Sequence, residues 1–298
     1  MSLRIEHLGG RALCEDLGRP GHAHLGITGS GAADRASLRR ANALVGNRPG
    51  AAGIEIVGTL EVRAEAGVMI ALAGAQTRAA TVLAAGERMS VPFPQRGLRT
   101  YLAVRGGLAT ARTLGSAATD TLSGLGPAPL RAGDVLAIGR DLGDLRTVGD
   151  GSGAGDGAGD GAGATDGAGD DTAGGTPLPG PLLMLSVHPG PRADWAEDLG
   201  VLFAGEYRVG EESDRVGTRL AGAPLARARA GDAGELPSEG LVRGSVQLPP
   251  SGLPVIFGAD HPVTGGYPVI AVLTGAAADA LAQARPGQAV RFRRTGAW

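Results

Sequence analysis

A run of small and acidic residues between about Asp144 and Pro181 constrains the fold of this chain more than any other feature. Its greater part, residues 149–181, reads GDGSGAGDGAGDGAGATDGAGDDTAGGTPLPGP. Such a composition buries too little apolar surface to offset the entropy of an ordered chain, so it predicts a flexible acidic linker over 144–181. A calcium-binding nonapeptide array would need a recurring apolar residue, and none recurs here. The chain is therefore predicted to fold as two parts, 1–143 and 182–298.

Both parts are dominated by short apolar runs between Gly and Pro turns, which is typical of β-strands. The predicted strands are Gly53–Val57, Val68–Leu72, Leu98–Val104 and Asp134–Ile138 in the first part, and Leu182–Val187, Tyr207–Val209, Gly244–Leu248, Pro254–Gly258, Val269–Leu273 and Gln288–Arg293 in the second. The closing segments RAGDVLAIG and RPGQAVRFR share one pattern, which favours two related β-barrels or sandwiches. Helices are predicted at Asp34–Val45, Ala193–Phe203 and Ala276–Ala284.

Charge and composition exclude several classes of function. The net charge of −2 gives no reason to expect nucleic acid or an anionic membrane as a partner. The longest apolar stretch, GVMIALAG at 67–74, is far too short to cross a bilayer, and MSLRIEHLGG does not resemble a signal peptide. Cys14 is the only cysteine, so neither an internal disulfide nor a cysteine-cluster metal site is expected. A soluble cytoplasmic protein is the default expectation.

The chain contains no lysine at all, because every basic side chain other than histidine is arginine. A G-x-x-x-x-G-K-[ST] phosphate loop, a Schiff-base lysine and covalently attached biotin or pyridoxal phosphate all require one. Any such carrier must therefore sit on another chain.

The stretch TGSGAADRASLRRANALVGN, residues 28–47, leads from a glycine-rich turn into a predicted helix with Leu38, Ala41 and Val45 on one face. One interpretation is an ordinary turn in which Asp34 or Ser30 caps the helix. The other is an anion-binding loop, since free N–H groups at a helix start attract carboxylate or phosphate and Arg35 lies beside them. Composition alone favours the ordinary turn.

Three further stretches carry polar residues with two open interpretations each. EESDRVGTRLAG, 211–222, is either a solvated turn or a guanidinium fork for a carboxylate. LPSEGLVRGSVQLPPSG, 236–252, offers Glu239 as a general base or as an ordinary turn acid. YLAVRGG, 101–107, either presents Arg105 to a site or closes a hairpin.

The stretch GADHPVTGGYPVIAV, residues 258–272, is the most unusual one in the chain. Its paired glycines allow a close approach of backbone to a ligand, and its strand positions place Asp260 and Tyr267 at a barrel rim. Two prolines also suit a purely structural bend. His261 has no partner at ligand spacing, so a zinc site is not expected, and no G-x-S-x-G nucleophile motif is present.

Taken in order, five of these motifs resemble one known family. The motifs are DLGRPGHAHLGITGSGAADRASLRRANALVGN, YLAVRGG…LGS, SDRVGTRL, SEGLVRGSVQLPPSG and TGGYPVIAV. The chain resembles the carboxyltransferase A/B-subdomain family, which includes allophanate hydrolase subunit 2, the KipA protein and the C component of the bacterial ATP-dependent 5-oxoprolinase. The resemblance covers nearly the whole chain outside the predicted linker.

The resemblance implies two cyclophilin-like β-barrel subdomains with a few short helices. It implies two partners: a KipI-like B component of the oxoprolinase, which carries the companion C and D subdomains, and the A component of the same enzyme. It also implies chemistry on an amide or urea group, with donors aimed at a developing oxyanion and a pocket for a carboxyl or phosphoryl group. With the resemblance added, the 28–47 stretch is expected to be a site loop, and a capping role for Asp34 is compatible with that.

The resemblance also leads to specific site residues. The predicted catalytic residues are Asp34, Asp214, Glu239 and Asp260. The predicted substrate-binding residues are Ser30, Gly31, Arg35, Asn42, Arg105, Arg215, Gln247, Thr264, Gly265, Gly266 and Tyr267. Two departures from the family pattern stand out: Cys14-Glu15 replaces an expected Val-Gln, and Pro262-Val263 replaces an expected Gln-Thr.

The leading expectation for function is the C component of an ATP-dependent 5-oxoprolinase, which opens the lactam of 5-oxoproline to glutamate. ATP with Mg²⁺ is the expected cofactor, shared with the partner proteins. One alternative is a component of a biotin-dependent carboxyltransferase acting on urea-type amides, with biotin carried by another chain. The other is a KipA-like regulatory partner of a kinase inhibitor. No metal site of the chain's own is expected.

Overall fold

The structure is a computed structural model that describes residues 1–143, 175–228 and 236–296. The linker predicted over 144–181 lies outside the described residues as far as residue 174. The elements are mostly β-strands with three short α-helices, as the sequence predicts. None of the helices within these ranges has the length and apolarity needed to cross a membrane.

The first part forms a seven-stranded sheet. Its strands are β1 (Ser2–Glu15), β2 (Gly53–Ala64), β3 (Val68–Gly74), β4 (Arg78–Leu83), β5 (Arg88–Val91), β6 (Arg99–Val104) and β7 (Val135–Ala137). They follow the order β4-β3-β6-β2-β1-β7, and β5 pairs with β2. Every pairing is antiparallel, and several join strands that are far apart in the sequence, such as β1 with β7.

The long β1–β2 pairing explains why two glycines stand in the middle of β1. Gly10 lies directly opposite Gly58, and both have positive φ. A Cβ on Gly10 would lie 2.2 Å from the Val57 carbonyl oxygen, and one on Gly58 would lie 2.1 Å from that of Gly9. Only glycine permits this close approach of the two strands.

The two faces of the first sheet have different coverings. One face holds the main core, with Ile54, Ile56 and Val62 at its centre. The other packs against the helix α1 (Arg35–Leu44), whose Leu38 and Ala41 contact alanines of β3 and β6. That second face is also where the second part of the chain docks.

The second part is a closed barrel of seven strands. They are β8 (Leu182–Pro189), β9 (Tyr207–Val209), β10 (Gly217–Ala221), β12 (Ser245–Gln247), β13 (Val255–Phe257), β15 (Val269–Leu273) and β16 (Ala289–Arg294), closed in the order β10-β13-β12-β15-β8-β16-β9. Two further short strands, β11 (Glu239–Gly240) and β14 (Thr264–Gly265), form a separate ribbon. The helices here are α2 (Gly200–Ala204) and α3 (Gly275–Leu281).

The two closing segments occupy related places but differ in direction. β7 pairs antiparallel with β1, whereas β16 pairs parallel with β8 over six residue pairs. Each thus lies beside the first strand of its own part. The barrel is closed only in the second part; in the first, the path ends at β4 and β7.

All ten predicted strands are present within their expected segments, but β1, β4, β5, β10, β11 and β14 were not predicted. The helix predicted at Ala193–Phe203 is wrong. The segment contains a 3-10 turn at Ala193–Trp195 and the separate short α2, because the chain at Ala196 is extended and pairs with Arg227.

Candidate functional site

The covered face of the first sheet carries an unusual set of polar side chains. Strand alternation places Arg11, Leu13 and Glu15 of β1 on this face, while Ala12 and Cys14 enter the core. The register sets Arg11 beside Val57 and Arg99, and sets Leu13 beside Glu55 and Tyr101. Charged residues thus line up across three adjacent strands under the second part of the chain.

Arg215, from the turn before β10, is the centre of this interface. Its Nε and Nη2 donate to the two oxygens of Asp260 at 2.8 and 2.9 Å, and its Nη1 donates to Glu55 at 2.7 Å. Nη2 also donates to the Gly31 carbonyl oxygen at 2.7 Å. The guanidinium is 2% exposed, so one buried cation joins three segments of the chain.

Glu55 is the first-part anchor of Arg215. Its other oxygen accepts from the Ala33 N–H at 2.9 Å and from the Tyr101 hydroxyl at 2.7 Å. Arg99 adds a donor at 3.3 Å. Burial raises the pKa of this carboxyl, but Arg215 and Arg99 outweigh it, so the net shift is downward and Glu55 is ionised.

Asp260 is the second-part anchor. Besides Arg215, it accepts from the Ser30 hydroxyl at 2.6 Å and from both the N–H and hydroxyl of Thr121, at 2.9 and 2.7 Å. Burial raises its pKa, and the bonds and charge of Arg215 reverse that shift to give a lowered value. Asp260 therefore fastens the barrel to two loops of the first part.

The loop at Ser30 and Gly31 is shaped for this contact. Ser30 has φ 49° and Gly31 has φ 90°. A Cβ on Gly31 would lie 2.6 Å from the backbone nitrogen of Gly18. Close packing of two loops thus requires glycine here and aims the Gly31 carbonyl at Arg215.

Glu15 is the member of the cluster with the poorest partners. It is fully buried, and Arg215 Nη2 lies 3.3 Å from its Oε1. Neither of its oxygens has a hydrogen-bond partner among the described residues. Burial, followed by the charges of Glu55, Asp260 and Asp16, raises its pKa well above the ordinary value despite Arg215. Glu15 is therefore the carboxyl group of the cluster whose surroundings most favour the protonated form.

A cleft opens beside this cluster, between the two parts of the chain, and is called the interlobe cleft below. It has a volume of about 460 Å³, within the range of small-molecule sites. Its charged lining residues are Arg11, Glu55, Arg99, Asp214 and Arg215, and its apolar lining includes Leu13, Val57, Leu98 and Pro286. The cleft is a concave site that borders the predicted residues Asp214 and Arg215.

Asp34 is a helix cap with every acceptor position used. Oδ1 accepts from the Ser37 N–H and the Thr176 hydroxyl, and Oδ2 accepts from the Ser37 hydroxyl and the Gln283 amide. Burial, followed by the charge of Asp279, raises its pKa. The geometry thus gives Asp34 the capping role, and its catalytic role stays a prediction that the geometry does not favour.

The first turn of α1 has no N–H left for an external anion. The Arg35 and Ala36 N–H groups donate to Asp279 at 3.1 and 3.2 Å, and the Asp34 N–H donates to Tyr101. A carboxylate of the second part therefore occupies the position that an anion loop would offer. The ordinary-turn interpretation describes this loop, with Asp279 as its built-in anion.

Two predicted substrate-binding residues lie at the far end of α1. The Asn42 amide donates to the Ala51 carbonyl at 2.8 Å and accepts from Asn47 at 2.9 Å. Arg105 donates to the Val45 carbonyl at 2.8 Å. Both close the helix end, and neither lines the cleft.

Glu239 and the glycine pair form another group around the β11–β14 ribbon. Glu239 binds Arg192 through Nε at 2.9 and 3.1 Å and through Nη2, which lowers its pKa. Gln247 donates to the Tyr267 carbonyl, and a Cβ on Gly265 would lie 2.6 Å from its amide nitrogen. Thr264 pairs with Gly240 across the ribbon. Gly266 follows Gly265 in the sequence, and the Tyr267 side chain is exposed.

The structure therefore brings together Ser30, Gly31, Arg215 and Asp260, with Asp214 at the adjacent cleft. It does not bring Asn42, Arg105 or the Glu239 group to the same place. The residues that sequence reasoning missed are Glu15, Glu55, Arg99 and Tyr101. Within the described ranges, no group of three or more His, Cys, Asp or Glu side chains is arranged to hold a metal ion.

Comparisons with known proteins agree with this fold. Residues 25–294 match the family model described as carboxyltransferase domain, subdomain A and B. The chain belongs to this family. Its carboxyltransferase-domain fold is shared with the Kluyveromyces lactis urea amidolyase, at a TM-score of 0.83 and 23% identity over 99% of this chain and 19% of that one.

Two relatives in this carboxyltransferase-domain family differ in how much of their own length this chain matches. The Escherichia coli protein that is named as the C subunit of 5-oxoprolinase is 33% identical over 97% of this chain and 90% of its own length. A putative urea carboxylase of Emericella nidulans is 29% identical over 91% of this chain but only 22% of its own length. The crystal structure of TTHA0988 matches with a TM-score of 0.76 and 33% identity, covering 98% of this chain. This chain spans 55% of that solved chain.

Proposed function

We propose that this chain is the C component of an ATP-dependent 5-oxoprolinase, which opens the lactam of 5-oxoproline to glutamate together with partner proteins. The observation that carries the proposal is the match to a relative of that name, which aligns almost end to end with this chain. The urea carboxylase and urea amidolyase relatives align with it over only 22% and 16% of their lengths.

The interlobe cleft suits a small cyclic amide that carries a carboxylate. Its apolar walls can enclose a five-membered ring, and its exposed guanidinium, that of Arg11, can receive an anion. The Arg215 cluster serves as the support that fixes the two walls relative to each other. Arg215 itself is a positioning residue, because its donors are already bound to Glu55, Asp260 and Gly31.

Nucleotide binding is assigned to the complex rather than to this chain alone. ATP would activate the amide by phosphoryl transfer. The start of α1 does not offer a phosphate cradle, since Asp279 and Asp34 occupy its first-turn N–H groups. The required partners are the KipI-like B component, with the companion C and D subdomains, and the A component of the oxoprolinase. We place this complex in the cytoplasm.

The test is a coupled ATPase assay on this protein purified together with those two partner components. We expect ATP hydrolysis that depends on 5-oxoproline, with glutamate released in equal amount and lost when any one of the three proteins is omitted. An assembled and folded complex without such turnover would overturn the proposal.

A second candidate is a carboxyltransferase component for urea-type amides. The family description and the urea carboxylase relative favour it. Because the chain lacks lysine, the biotin would be carried by another chain. Binding of a biotinylated carrier, or carboxylation of urea by the complex, would support this function against the first.

A KipA-like regulatory role makes a different prediction. Binding to the KipI-like partner and the regulatory effect would then survive Asp214→Ala and Glu239→Ala, which alter exposed or half-exposed carboxylates. Retention of both together with absence of any turnover would favour regulation over catalysis.

A further inference from the structure

Arg11 is the charged residue of the interlobe cleft without a described partner. It lies on β1 and its side chain is exposed. Its guanidinium lines the cleft. No described residue forms a hydrogen bond or ion pair with it. By contrast, Arg99, Arg215 and Arg243 each form an ion pair with a buried carboxylate.

The other charges of the cleft are already matched. Arg99 and Arg215 share Glu55, and Arg215 also holds Asp260. Glu15 lies behind them, 3.3 Å from Arg215. The Arg99 and Arg215 guanidinium groups are therefore engaged by carboxylates of the cluster, and the two charged lining residues without an ion pair to any described residue are Arg11 and Asp214.

Arg11 lies on the first part of the chain and Asp214 on the second, so the two walls of the cleft carry opposite charges. Asp214 uses Oδ1 to accept from the Val216 and Gly217 N–H groups of its own turn, at 2.8 and 3.0 Å. Its negative charge repels an anion from the second-part wall, and Arg11 attracts one to the first-part wall. A bound carboxylate is therefore directed to Arg11.

Apart from Gly10 and Ser213, the rest of the lining is apolar. The Ser213 hydroxyl is engaged near its own turn, since it donates to the Gly210 carbonyl and accepts from the Arg219 N–H. Leu13 is buried and Val57 lies in the middle of the long β1–β2 pairing. Leu98 and Pro286 complete the walls. Such walls accept a compact hydrocarbon ring and give no partner to a second charged group at depth.

We propose that Arg11 is the carboxylate anchor of a subsite in this cleft that takes a small ring or short chain carrying one carboxylate. In the oxoprolinase this ligand is 5-oxoproline, so that assignment rests on the proposed function. The carboxylate binds the Arg11 guanidinium, the ring contacts Leu13 and Val57, and the uncharged lactam N–H faces the Asp214 side.

The test measures binding rather than turnover, on the complex with both partner components. The probes are 5-oxoproline, cyclopentanecarboxylate, which keeps the carboxylate but lacks the lactam, and 2-pyrrolidinone, which keeps the lactam but lacks the carboxylate. We compare the wild type with Arg11→Gln. The matched control is Arg78→Gln, an exposed strand arginine of β4 outside the cleft.

We expect both carboxylates to bind the wild type at least about tenfold more tightly than 2-pyrrolidinone. Arg11→Gln should weaken both carboxylates by about tenfold or more and leave 2-pyrrolidinone unchanged, while Arg78→Gln changes none of them. Unchanged carboxylate affinity in Arg11→Gln, or equal weakening of all three probes, overturns the anchor.

The same experiment separates this inference from the proposed function. Carboxylate binding that depends on Arg11, in a complex that hydrolyses no ATP with 5-oxoproline, would retain the anchor and reject the oxoprolinase. Turnover of 5-oxoproline with full activity and unchanged KM in Arg11→Gln would retain the oxoprolinase and reject the anchor.

Discussion

The chain contains two Asp-Arg pairs, and the fold uses them in opposite ways. In Asp34-Arg35 the aspartate is fully buried and caps α1, while the arginine is only partly buried. In Asp214-Arg215 the arginine is buried at the interface between the two parts, while the aspartate is more exposed and lies in a turn. The same dipeptide thus supplies a buried anion at one site and a buried cation at the other.

The difference follows from what each backbone offers. A helix start presents N–H groups, which need acceptors, so the carboxylate turns inward. The turn before β10 faces a sheet that carries two glutamates, so the guanidinium turns inward there. Each buried charged group also binds a residue of the other part of the chain: Asp34 accepts from the Gln283 amide, and Arg215 donates to Glu55.

Arg215→Met should have the largest effect. It keeps the length of the side chain but leaves Glu55 and Asp260 buried without their main cation. We expect a loss of about 3–5 kcal/mol in the free energy of unfolding, as found when one partner of a buried ion pair is removed. Chemical denaturation measures it, and Arg219→Met, at an exposed arginine nearby, serves as the control. A stable Arg215→Met protein would show that the cluster does not fasten the two parts.

Asp34→Asn comes next. Both Asp34 oxygens accept from donors, so the new amide NH₂ must face at least one N–H or hydroxyl hydrogen. We expect about 1–3 kcal/mol of destabilisation. Thr274→Ala removes the cap of α3, whose side chain accepts only from Ala277, and should cost about 1 kcal/mol. If both substitutions lowered the free energy of unfolding equally, the contacts of Asp34 with Thr176 and Gln283 would add nothing to its capping of the helix.

Glu15→Gln tests the charge state of the cluster. Because burial raises the pKa of Glu15 above its unfolded value, the wild-type protein loses stability as the pH rises above about 4.5, the ordinary pKa of the group. The variant lacks that loss. We expect the two proteins to be equally stable near about pH 4 and the variant to be the more stable near about pH 8.

The control for this pH dependence has the opposite sign. Arg192 lowers the pKa of Glu239, so the stabilising contribution of Glu239 is present at neutral pH and disappears as the pH falls below its ordinary range. Glu239→Gln should therefore lose a little stability at neutral pH and none in acid. If Glu15→Gln showed that same pattern, Glu15 would be an ionised partner of Arg215.

The ten predicted strands and the α1 cap were accessible from the sequence because they depend on local patterns. Ile54 and Ile56 alternate in the manner of a strand, and Asp34 precedes the helix at the position of a cap. The inward glutamates were not accessible. Alternation around Glu55 predicts a solvent-facing side chain, and only the docking of the second part buries it.

Glu15 was missed for a further reason. It ends β1, a strand that was not predicted at all. The one signal at that position was the departure from the family pattern, since Glu15 stands where a glutamine is expected. A protonated carboxyl group is nearly isosteric with the glutamine amide, and the raised pKa of Glu15 favours that form.

Asp214→Asn should have the smallest effect and completes the comparison. The Oδ1 atom of Asp214 accepts from two N–H groups of its own turn, and the carbonyl oxygen of asparagine accepts from them equally well. We expect a change within about 0.5 kcal/mol. Chemical denaturation of the two Asp→Asn variants would then show a larger loss of unfolding free energy at Asp34 than at Asp214. If the losses were equal, burial and donor count would not explain how the two Asp-Arg pairs differ.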